Sequence, residues 1–186
     1  MKTTYANTLL AVGMLTSPKT LGRASMERDN YLDGIRSAWL GEQLGEVFFK
    51  ALADRTEDRS MRSTWQTLAK LENVTGQRMA AVLTAHGEAA TTDEAIEVGD
   101  EIVNRYAAAS HLDSMLRMKD VVEKAIIHFD QLLAVAPDAD VPSVQFLVHH
   151  EQALLTFVER EIAGNHDHAL EDVQKLLTLS NKDPHA

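Results

Sequence analysis

The chain has 186 residues, a formal net charge of −10 and no cysteine. The charge argues against nucleic acid or an anionic membrane surface as the main partner. The missing thiols exclude disulfides, thiolate zinc sites, iron–sulfur clusters and cysteine nucleophiles, so any metal must be held by carboxylate, imidazole or water. Leu, Ala, Glu, Met and Gln are common while Gly and Pro are few, which favours an all-α fold of one domain. Residues 1–28 read as an N-terminal arm with weak turn signals. Their segment "LLAVGML" is short and preceded by a single Lys, a poor secretion signal. No apolar run is long enough to span a bilayer. The expected location is cytoplasmic.

A helical pattern begins near Asp29 and runs to about Ala53, with the inward stripe Ile35, Ala38/Trp39, Glu42, Gly45/Glu46, Phe49 and Leu52 at steps of three and four. "DRTEDRS" interrupts it. The second helix runs from about Asp58 to His86, with the stripe Met61, Trp65, Leu68, Glu72, Thr75, Met79 and Leu83. Thr92 reads as an N-cap for a shorter helix over 94–108. A third long helix spans about His111 to Val135, with the stripe Leu112, Met115/Leu116, Val122/Glu123, Ile126/Ile127, Asp130 and Leu133. "APDADVP" is a loop, and Pro142 suits the start of a fourth helix that Gly164 ends. That helix carries Leu147, His150, Leu154 and Phe157 inward. Leu170 to Leu179 form a last amphipathic segment, expected to pack outside the bundle. The organisation is therefore an arm over 1–28, a four-helix bundle over 29–165, and a peripheral helix and tail over 166–186. Short loops make two hairpins, and the long connection 87–110 allows the second to cross over the first.

Each bundle helix carries one polar group on its apolar stripe. "EQLGEVFFKAL" and "EKAIIHFDQLL" share a Glu, an aromatic six residues later and a Leu four beyond that: Glu42, Phe48, Leu52 and Glu123, Phe129, Leu133. The second helices of the hairpins carry Glu72 in "LAKLENVTG" and His150 in "LVHHEQALL". Buried carboxylates are costly unless protonated, paired or metal-bound, and three on one seam repel each other. A divalent metal resolves the conflict. The candidate ligands are Glu42, Glu72, Glu123 and His150, with Glu46, His149 and Glu151 as alternates.

This pattern resembles the ferritin-like superfamily, and within it the rubrerythrin-type bundles, over about residues 32–163. Glu42/Phe48, Trp65/Leu68/Ala69/Glu72 and Glu123/Phe129 carry the resemblance. It implies a ferritin-like four-helix bundle with a crossover, and ligands to iron or manganese at Glu42, Glu72 and Glu123. The chain departs from the family at both Glu-x-x-His motifs: Thr75 and Ala153 stand where histidines are expected. The space they leave implies a partly polar pocket lined by Glu42, Glu72, Thr75, Glu123, His150 and Ala153. Three Glu and one His suit a single Fe, Mn or Zn ion, or a degenerate pair, for oxygen or peroxide chemistry. The rival expectation is a non-enzymatic bundle that has lost the di-metal site and acts in association or in binding an unknown small molecule.

The turn "NHDH", residues 165–168, reads first as a solvated loop capping the last helix through Asp167, and second as a weak metal site. Apolar residues beyond the stripe of the first helix, Leu40, Leu44, Val47 and Phe48, suggest a homodimer unless residues 94–108 or the arm cover them. No Gly-rich phosphate loop, nucleophile elbow or basic aromatic face is present.

Overall fold

The computed structural model describes residues 23–91 and 100–182, all-helical with no strand among them. Six α-helices follow in order: α1 Arg23–Arg55, α2 Arg59–Ala85, α3 Asp100–Ala108, α4 His111–Ala134, α5 Val141–Ile162 and α6 Glu171–Lys182. A 3₁₀ turn, His166–His168, precedes α6. Most of the expected arm, the Thr92 cap and the last four residues lie outside the described chain. Residues 23–28, expected in the arm, form the first turns of α1.

Local chemistry sets the helix ends. Asp58 caps α2, its Oδ1 accepting the Met61 N–H at 2.7 Å, and Ser110 caps α4, accepting from Asp113 N–H at 3.1 Å. Gly87 and Gly164 take positive φ, 81° and 75°, just past α2 and α5. There Glu88 N–H returns to Leu83 O and Asn165 N–H to Arg160 O, at 2.9 and 2.8 Å. Both helices thus end in a Schellman turn, which satisfies carbonyls that would otherwise be orphaned.

Helices α1 and α2 form one hairpin, and α4 and α5 the other. α2 packs on α5, and α6 lies against α5 and α2. Val173, Leu176 and Leu177 of α6 are buried in the core, so this last segment completes the apolar interior rather than only lining the outside. α3 packs on α1, with Tyr106 edge-on to Phe48 at 5.0 Å. It covers within one chain part of the apolar surplus noted on the first helix. Tyr31 near the start of α1 meets Asp140 at the start of α5, and Trp65 of α2 meets Phe157 of α5 at the other end. α5 therefore runs parallel to α1 and antiparallel to α2.

The core is divided. One apolar cluster gathers Phe48, Phe49, Leu52, Trp65, Leu68, Met115 and Phe157; the other gathers Ile35, Trp39, Met79, Leu83, Phe129, Leu132 and Leu147. On α1, α2 and α5 the residues between the two clusters are the polar ones: Glu42, then Glu72 and Thr75, then His150 and Glu151. A polar layer crosses the middle of an otherwise close-packed interior.

Candidate metal centre

Glu42, Glu72 and His150 converge in that layer, all buried, with one potential ligand atom from each within 4.8 Å of the others. Glu42 and Glu72 face each other because α1 and α2 approach closely. A Cβ built on Gly45 would lie 2.6 Å from Glu72 Cδ, and one on Gly76 would lie 3.3 Å from Glu42 Cβ. Only hydrogen at position 45 leaves room for the Glu72 carboxylate. The hairpin thus presents two carboxylates side by side, and α5 brings the imidazole between them.

His150 is fully enclosed, with both ring nitrogens engaged or aimed. Nδ1 lies 2.8 Å from Thr75 Oγ1. The Thr75 hydroxyl donates its own proton to Leu71 O at 3.0 Å, so it accepts from the ring, which places a proton on Nδ1. Nε2 faces Glu72 Oε1 at 3.4 Å without a hydrogen bond. Nδ1 also lies 3.0 Å from Glu42 Oε2, but out of line with it. Glu42 Oε2 and His150 Nε2 are the buried side-chain atoms left without a hydrogen bond among the described residues. Unpaired polar atoms in an enclosed site are rare and point to a missing partner.

Charge follows the same geometry. Burial alone would depress the His150 imidazolium, but Glu42 and Glu72 outweigh it and hold the ring well above its ordinary range. Burial pushes Glu72 up to about 7; Glu42 adds to this, and His150 opposes both. Glu151, buried beside His150, is pushed up to about 8, first by burial and then by Glu42 and Glu72 against the pull of His150. It is a fourth member of the layer, and it comes from the same helix as the histidine.

The other expected ligands lie elsewhere. Glu123 does not reach the layer: its side chain is 49% exposed and lies 3.7 Å from Lys119 Nζ. Val122 takes the inward position, since one residue turns a helix by about 100°. His149 is exposed. Glu46 is half-buried and engaged by Asn73, at 2.9 Å, and by Lys50. Thr75, expected to line a pocket, is buried and bonded to the ring. Ala153 is buried one turn along α5 in the apolar cluster. Sequence reasoning held Glu151 only as an alternate. The signal that would have raised it is the broad apolar arc of α5, a helix flanked by α2, α4 and α6 that buries adjacent positions.

No family model, curated protein or solved structure matches this chain. Its likeness to ferritin-like bundles rests on the motif residues alone. The residues present do not supply a paired-metal set, because Glu123 faces solvent and neither Glu-x-x-His is complete. They do fit one ion. The orphaned Nε2 lies 3.4 Å from Glu72 Oε1, about the separation of two ligands around an ion with bonds of about 2.0–2.1 Å. Thr75 supplies the outer contact that fixes the tautomer of a ligating histidine.

Proposed function

We propose that this chain is a ferritin-like bundle whose central layer holds one divalent ion, Fe, Mn or Zn, through Glu42, Glu72 and His150. The observation that carries the reading is the Thr75–His150 contact, which puts a proton on Nδ1 and leaves Nε2 facing Glu72 without a hydrogen bond. The helix ends support the crossover of that fold: α2 closes near Asp140 while α4 opens near Glu161, at the opposite end of α5.

A bound redox-active ion supplies electrons for reaction with oxygen or peroxide. The chain's own groups do the rest. Thr75 orients the ring. The two apolar clusters on either side exclude bulk water. Glu151, buried beside the ring and pushed up to about 8 in the metal-free protein, is the group placed to hold or release a proton near neutral pH.

In the ion's absence a proton takes its place on Nε2, and the imidazolium offsets the carboxylates. That arrangement supports the second reading, a metal-free bundle with a structural polar layer; the closeness of His150 Nδ1 to Glu42, 3.0 Å, favours it. Elemental analysis separates the two. Protein purified without chelators, or reconstituted with Fe, Mn or Zn, carries about one equivalent on the first reading. Traces only, together with a His150 ring still protonated at pH 8 by NMR, establish the second.

A further inference from the structure

A second constellation lies where α4 begins and α5 ends. Glu161 of α5 is buried, with its side chain 4% exposed. Its Oε2 is contacted by two imidazoles: His111 Nε2 at 2.7 Å and His166 Nδ1 at 2.8 Å. The rings meet edge to face, with centroids 5.9 Å apart. His111 is the first residue of α4 and His166 the first of the 3₁₀ turn, so three separate segments supply the three groups.

We propose that His111, Glu161 and His166 form a second, solvent-facing site for a divalent transition metal of the zinc, cobalt and nickel class. Two imidazoles and one carboxylate are the donor set that such ions favour over calcium or magnesium. Both ring nitrogens converge on one carboxylate oxygen, so their lone pairs and that oxygen can address a common point once each ring carries its proton on its other nitrogen. Neutral imidazoles make this exchange of tautomers without net proton loss. The contacts must open from 2.7 and 2.8 Å to about 3.3 Å to admit an ion with bonds of about 2.0–2.1 Å. The geometry allows it: His166 is 60% exposed on a turn two residues beyond the left-handed Gly164, while Glu161 stays anchored in α5. The exposed rings leave one side for water, so the ion exchanges with solvent, unlike one enclosed in the central layer. Binding would tie the start of α4 to the turn that follows α5.

Cobalt(II) and zinc(II) are the probes. His166→Ala and His111→Ala change exposed residues and disturb little packing. Calorimetric titration with zinc, and cobalt(II) visible absorption, are run on the wild type and both variants. The expected result is one fewer equivalent in each variant, or at least a tenfold loss of affinity, with zinc raising the melting temperature of the wild type more than that of either variant. Thr75→Val, which acts on the central layer, retains this equivalent. Equal stoichiometry and affinity in wild type, His166→Ala and His111→Ala would overturn the proposal whatever the central layer binds.

Discussion

Two of the buried carboxylate–histidine clusters in this molecule are finished differently. At the end of the bundle, Asp140 Oδ2 accepts the Tyr31 hydroxyl at 3.0 Å and His86 Nε2 at 2.7 Å, while the two rings lie edge to face. In the central layer, His150 stands among Glu42, Glu72 and Glu151, and two polar atoms have no hydrogen bond. The end trio joins α1, α2 and the α4–α5 loop using only groups that the chain supplies. The central layer supplies more negative charge than its single imidazole offsets. A completed polar network specifies packing; an incomplete one of the same residue types leaves donor atoms that could hold an ion.

The contrast can be tested hardest with pH. In the metal-free protein Glu72 and Glu151 sit at about 7 and about 8, and His150 above its ordinary range. The folded state therefore holds more protons than the unfolded state from about pH 4.5 upward. Stability should be highest in mild acid and fall as pH rises through 7 and 8, by about 3 kcal/mol for the coupled layer. Bound metal needs Glu72 ionised and the His150 ring neutral, so it should reverse the slope. Urea midpoints at pH 5.5 and 8.5, with chelator and with excess Mn or Zn, give both signs. A chelated protein that gains stability with rising pH contradicts the account.

Breaking the finished trio comes next. Asp140→Ala removes the acceptor of the Tyr31 hydroxyl and the His86 contact to it, and should cost about 2–3 kcal/mol in chemical denaturation. Metal content should not change. If it falls, the two regions are coupled and the comparison fails. A smaller effect is expected from Thr75→Val, which keeps the shape but frees the ring of its acceptor. Metal affinity should drop about 10- to 100-fold, measured by competition with a chromophoric chelator, with little change in apo stability. Retained affinity would mean that Thr75 does not set the tautomer. The smallest effect should come from Glu72→Met in chelator. Desolvation is relieved as a partner is lost, so stability should change by less than about 1 kcal/mol or rise. A loss above about 3 kcal/mol would show the centre to be as complete as the end.

The helices were legible because their apolar residues recur at 3.6-residue spacing and because Asp58, Pro142 and Gly164 mark ends with known backbone requirements. Glu42, Glu72 and His150 were legible as lone polar groups on apolar stripes. Glu123 misled because Val122 and Glu123 compete for one inward position. Pattern alone does not rank neighbours; packing against α5 does. Glu151 was obscured by the reverse effect, since a helix enclosed on several sides buries adjacent residues that a single stripe would separate. His111 and Glu161 lie 50 residues apart in sequence, and only the antiparallel pairing of α4 with α5 joins them.

Glu42 and Glu72 belong to one hairpin, and His150 to the other. Before the hairpins dock, the first holds two facing carboxylates across its tightest contact, at Gly45, with no cation between them. Their repulsion opposes closure of α1 on α2 until α5 arrives with its imidazolium, or until protons neutralise them. Assembly of the bundle is then a meeting of opposite charges, and the isolated first hairpin would close most readily in acid. The glycine that admits Glu72 thus sets side by side two carboxylates of one hairpin whose counter-charge comes from the other.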